Sequence, residues 1–234
     1  MLGYKNMMNY KSLIYLIIIL AVIGGLFGWY VYRDLPKEPV DNNAVAQELL
    51  NRDVVINIEM TDERKEKWTG DLTQVKKDLE ANLDSLQNWL QLGLLFKSAG
   101  DYEGARDIWE YASVIRPSNS ISFHNIGDVN HYYLKNFEEA EKNYLKAIEN
   151  APAQFFTYNN LYELYRYSVE DMDKAEKILL RGIDDNPMDP YLMILLGIFY
   201  EETGKTSDAL FYYEKALGFD SGNEALKKDI DRLK

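Results

Sequence analysis

The chain has 234 residues, 47% apolar and 27% charged, with 38 Asp and Glu against 26 Lys and Arg and a formal net charge of −12. That length suits one or two domains with a real core. All acidic residues lie at Asp34 or later, so the C-terminal part is an acidic body that repels a nucleic-acid backbone, and no basic stripe offsets it. With no Cys, the chain can form no disulfide, thiol nucleophile or Cys-ligated metal site, and cysteine usage leaves the redox compartment open.

Residues 1–11 form a short tail carrying Lys5 and Lys11. From Ser12 to Tyr32 no residue is charged, and a helix of that length spans roughly 30 Å, one hydrocarbon core. Tyr10, Trp29, Tyr30 and Tyr32 fall at headgroup level, so residues 12–32 are predicted to be a single transmembrane helix. A cleaved signal peptide is the competing reading, but the apolar run is too long for its core and Val22-x-Gly24 is a poor cleavage site. Lys5 and Lys11 tilt the orientation towards an internal N-terminus, placing the C-terminal part outside the cell membrane. Ala21-x3-Gly25 and Gly24-x3-Gly28 would let two anchors pair as a homodimer, although glycines are common in membrane helices anyway.

Residues 33–43, with two prolines and mixed charge, read as a linker. Residues 44–85 are a pre-repeat segment and N-terminal cap, in which Leu72, Val75 and Leu79 make one helical stripe. Within it Val54, Ile56, Ile58 and Met60 alternate, which predicts an extended stretch packed on the first helices. A sharper alternative places that stretch in the protein's own partner groove as a pseudo-ligand.

The rest is repetitive. Ala105, Ala140, Ala175 and Ala209 recur every 34 or 35 residues. Each is preceded by Gly93, Gly127, Tyr162 or Gly197 and followed by Ala112, Ala147, Gly182 or Ala216, with Pro117, Pro152, Pro187 or Ser221 closing the unit. Two helical apolar patterns fall in each unit: Trp89, Leu92 and Phe96, then Ile108, Trp109 and Ala112, in the first. Phe123, Ile126 and Tyr144, then Tyr158, Leu161 and Leu179, then Met193, Leu196 and Tyr213, continue the series. The small residues mark close helix crossings, and the prolines stop the second helices. Units two and three are one residue longer between their first two markers.

This pattern resembles the tetratricopeptide repeat family over residues 86–223. The expected fold is all-α: a solenoid of four helix-turn-helix repeats at 86–119, 120–154, 155–189 and 190–223, with a capping helix at 224–234 carrying Leu226, Ile230 and Leu233. The departures are Tyr162 for a small residue, Gly182 for Ala and Ser221 for Pro.

The resemblance implies that a partner peptide or helix lies in a concave groove lined by the first helix of each repeat. Carried over one repeat at a time, its residues are Gln87, Leu90, Leu94 and Lys97; His124, Asp128 and His131; Asn159, Glu163 and Arg166; and Tyr191, Ile194, Ile198 and Glu201. Leu90 and Leu94 stand where one version of the family clamps an acidic chaperone tail, so a mixed-polarity segment fits better. Tyr132, Tyr133 and Tyr191 are the tyrosines least easily absorbed as core. His124, Asp128 and His131 share a helical face and offer metal-ligating atoms, but no fourth ligand is evident, and the favoured reading is a polar groove with no metal.

No catalytic motif and no cofactor site is present in the sequence, so no enzyme is expected. The leading expectation is a membrane-anchored scaffold for protein partners. A receptor or assembly factor in a transport, secretion or pilus-like pathway is the alternative, and a metal-dependent enzyme the weakest.

Overall fold

The structure, a computed structural model, describes residues 41–234. The predicted tail, membrane helix and nearly all of the linker lie outside the described residues. Among the described residues no helix is long and apolar enough to cross a membrane, and there is no strand.

Eleven α-helices follow one another among the described residues. Helix α1 (Asn42–Asn51) and α2 (Asp62–Ala81) precede α3 (Leu86–Ser98) and α4 (Tyr102–Ile115). Then come α5 (Ser120–Val129), α6 (Phe137–Asn150), α7 (Phe155–Glu163), α8 (Met172–Asp185), α9 (Pro190–Glu202), α10 (Thr206–Leu217) and α11 (Glu224–Leu233). A π-helical turn, Asn130–Leu134, continues α5, and another, Leu164–Val169, continues α7. Asn42–Lys234 forms one compact unit of helices stacked in chain order.

Local chemistry starts these helices. Asp101, Asn119, Asn136, Asp171 and Asn223 each accept a backbone N–H three residues on, satisfying a donor the first turn leaves orphaned. Asp189 caps α9, where Pro190 occupies a first-turn position that needs no donor.

Packing then explains the small residues. A Cβ on Gly93 would come 2.2 Å from the Trp109 indole, and one on Gly127 would come 2.6 Å from the Tyr144 ring. Gly197 makes the same space for Tyr213. In the α7–α8 pair the pattern differs: Tyr162 takes the glycine's place, Leu179 takes the aromatic's, and both are buried.

Polar staples join successive helix pairs. Asn150 Nδ2 donates to the Pro117 carbonyl at 2.9 Å, and Asn186 Nδ2 does the same to Pro152. Glu141 accepts from Tyr165 and Lys174, and Glu176 accepts from Tyr200 and Lys205. The next position in that series is Leu210, which cannot continue the staple. Helix α11 ends the stack instead, burying Leu226 and Ile230, each contributing about 1.5–3 kcal/mol of apolar burial.

Upstream, the structure adds what periodicity did not reveal. Helix α1 buries Ala46, Leu49 and Leu50, and α2 starts ahead of the predicted stripe, burying Trp68 with its indole N–H on the Leu95 carbonyl at 3.0 Å. Residues 52–61 are not helical, and the segment binds the α3–α4 turn. Asn57 N donates to Ala99 O at 2.8 Å, its side chain donates to Gly100 O, and Val55 N donates to Asp101. These bonds correct the pseudo-ligand alternative: the segment is held by the turn, not by the predicted groove residues.

Candidate partner-binding face

The first helices of the four pairs, α3, α5, α7 and α9, and the π turns that continue α5 and α7 carry every side chain singled out as groove-lining. On α3, Gln87 and Leu94 are exposed, Leu90 is half-buried against the core, and Lys97 lies 5.4 Å over the Tyr133 ring. Its ammonium is 3.9 Å from Asp128 on the next first helix. On α9, Tyr191 and Ile198 are exposed and Ile194 is half-buried. Tyr191 stands edge-on to Phe155, ring centres 5.5 Å apart.

The middle of the face is polar and interlocked. Asp128 Oδ1 accepts from Tyr144 Oη and from Asn160 Nδ2, each at 2.8 Å. His124 lies with Nδ1 3.1 Å from Thr157 Oγ1 and Nε2 3.6 Å from Asp128. His131 Nε2 is 2.9 Å from Ser168 Oγ, and its Nδ1 is buried without a partner. The bonds to Asn160, Thr157 and Ser168 run from α5 and its π turn to α7 and its own, so they hold two repeats in register.

Burial lowers the pKa of both histidines. For His124 the Asp128 charge opposes that shift and Lys97 assists it; for His131, Glu163 and Asp128 oppose it and Lys135 assists. The three predicted polar groove residues are therefore partly a structural joint: His131 is only 3% exposed and faces Ser168 rather than solvent. A ring nitrogen of each histidine is turned to Thr157 or Ser168, and no group of His, Asp and Glu able to hold a metal exists among the described residues.

Glu163 is held differently. Its Oε2 accepts from Tyr132 Oη at 2.7 Å and its Oε1 from Asn159 Nδ2 at 3.1 Å. Asn159 Oδ1 in turn accepts from Tyr191 Oη at 3.4 Å. Arg166, half-buried, donates to Glu202 at 3.2 Å, while its Nε is buried without a partner. Glu201 is gripped by Arg232 of α11 at 2.6 and 3.1 Å and accepts from Tyr213, which lowers its pKa. That carboxylate belongs to the capping contact.

Asn160, Ser168, Phe155 and Tyr167 are not marked out by any pattern in the sequence. The first two matter only as partners 32 and 37 residues from Asp128 and His131, which no local pattern announces. Tyr132 and Tyr133 sit in the π turn after α5, whose sign in the sequence was the one extra residue in units two and three.

The sequence profile described as tetratricopeptide repeat matches residues 122–154 and 190–223. A search of curated proteins by sequence finds no match. Among solved structures, the chain is similar to MamA at 23% identity and TM-score 0.54, covering 70% of this chain and 97% of that one. It is similar to YrrB, described as a TPR protein with an unusual peptide-binding site, at 18% identity and TM-score 0.51, covering 68% and 81%. It is similar also to PilW, described as a widely conserved type IV pilus biogenesis factor, at 17% identity and TM-score 0.53, covering 82% and 85%. The fold is an all-helical, tetratricopeptide-like solenoid.

Proposed function

We propose that this protein is a non-catalytic scaffold that holds a peptide or helix of a protein partner along its first-helix face, tethered to a membrane through residues 12–32. The observation that carries the reading is the row of exposed apolar and aromatic side chains on that face: Leu94, Tyr132, Tyr133, Tyr167, Tyr191 and Ile198. Solvent-facing apolar groups in such a row are costly to leave bare and are well suited to an amphipathic partner. The polar groups between them are rigidly bonded to one another, so little order is lost on binding. The tether rests on the uncharged stretch of the sequence and would supply local concentration at a membrane surface.

The test is in-cell cross-linking followed by purification of the full chain, compared with the variant Leu94→Asp, Ile198→Asp. Both positions are exposed, so the variant should melt like the parent and lose its cross-linked partner. A partner retained at full yield sinks the reading.

A second reading, an assembly factor in a pilus-like or secretion pathway, is favoured by the fold likeness to PilW. Stable co-purification with one fixed complex supports the scaffold, and transient binding to many unfolded clients supports the assembly factor. Ser221 is exposed, so Ser221→Cys in this cysteine-free chain reports sidedness. Labelling of intact cells by a membrane-impermeant maleimide is expected if the repeats lie outside, and protection until lysis reverses the orientation.

A further inference from the structure

The charges on the first-helix face are not equally spent. Lys97 is set against Asp128, Arg166 against Glu202, and Arg232 against Glu201. Glu163, at the middle of the face, has no cationic partner among the ion pairs of the described residues, and its two oxygens are held by the neutral Tyr132 hydroxyl and the neutral Asn159 amide. Neutral donors orient a carboxylate without cancelling its charge, and a carboxylate has about four acceptor sites, of which two are used here. His131, the titratable group next to Tyr132 in the chain, is kept neutral by burial and supplies no counter-charge.

The surroundings favour a cation. Tyr132 and Tyr191 are both exposed and linked to Glu163 by their hydroxyls, one directly and one through Asn159. Aromatic faces attract ammonium and guanidinium groups. Both tyrosine hydroxyls are pushed above their ordinary pKa by burial and then by the Glu163 charge, so its negative potential reaches each side. The acidic body adds long-range attraction of the same sign.

We propose that the first-helix face selects a partner segment presenting a lysine or arginine to Glu163 between Tyr132 and Tyr191, with apolar residues seated near Leu94 and Ile198. The selection rests on the reading of this face as the partner site. An acidic segment would meet an uncancelled carboxylate, while Lys97 and Arg166 on the same face are already set against Asp128 and Glu202.

The test selects a phage-displayed library of random twelve-residue peptides on the full chain in mild detergent, then measures enriched synthetic peptides by fluorescence polarisation. The expected result is a basic residue with apolar neighbours, and binding roughly 10-fold or more weaker to Glu163→Gln, since Gln removes the charge and keeps one acceptor oxygen for the Tyr132 hydroxyl while giving up the one that holds Asn159. Replacing the peptide's own Lys or Arg by Gln should give a similar loss, which keeps the test valid should the protein variant fold poorly. Enriched peptides without a basic residue, or equal binding to Glu163→Gln, overturn the inference while leaving the face reading intact. No enriched peptide, or binding insensitive to Leu94→Asp with Ile198→Asp, overturns both.

Discussion

The outer and inner helix pairs solve the same turn in two ways. After α3 and α9 the chain reverses through Gly100 and Gly204, at φ 81° and 78°, where glycine has no steric cost. After α5 and α7 it first makes a π turn and then reverses through Lys135 and Glu170, at φ 57° and 60°. The extra residue in units two and three is accommodated in that π turn, and it re-aims the side chains carried there. The fourth residue after the Gly or Tyr marker shows the consequence. Lys97 and Glu201 side chains are 26% and 28% exposed in the outer pairs, whereas Arg166 is 20% exposed and His131 is buried in the inner ones. In the α5–α6 pair that position is a buried joint between repeats.

The largest test of the comparison concerns Tyr162, the ring that stands in the glycine's place in the α7–α8 pair. Tyr162→Ala should destabilise by about 3–5 kcal/mol, because no larger neighbour replaces the ring. Urea unfolding measures it, and a loss below about 1 kcal/mol would mean that the helices close the gap, against the expectation for a packed core.

Next, Gly127→Ala should cost about 1–3 kcal/mol through collision with the Tyr144 ring. Adding Tyr144→Leu removes the ring that the new Cβ would strike, so the double variant should lose less than the sum of the singles. Simple additivity in the double-mutant cycle would show that the two positions do not compete for one space.

The inner joint should also respond to acid. Both histidines have lowered pKa values in the fold, so the unfolded chain binds more protons between the lowered values and the ordinary one. Their contribution is complete above about pH 6.5 and is lost as pH falls through the lowered values. Urea midpoints between about pH 7.5 and 5 should therefore fall, and His131→Gln should flatten the fall. An unchanged pH profile in the variant would remove His131 as a cause.

The smallest effect is expected at the inner turn. Lys135→Gly relieves a left-handed backbone and should stabilise by about 0.5–1 kcal/mol or be neutral, as glycine's extra unfolded freedom offsets part of the gain. Clear destabilisation would show that the Lys135 side chain contributes more than its backbone strain costs.

The sequence carried the helical repeat, the small-against-large crossings and the apolar face of α11, because these depend on residues close together in the chain or at a fixed period. It carried less of α1, which is only ten residues long and owes its order to packing, and it did not point to the indole of Trp68 seeking a carbonyl on another helix. The candidate face was legible as a set of helical positions, but not as a set of partnerships. Whether Asp128, His131 or Glu201 is free for a ligand depends on Asn160, Ser168 and Arg232, each about one repeat away. Side-chain type and period are local properties of a chain, and so the sequence alone determined the stack. Which charges remain uncancelled is a property of neighbours brought together by stacking, and only the tertiary structure decided that Glu163 stands without a cation among the described residues.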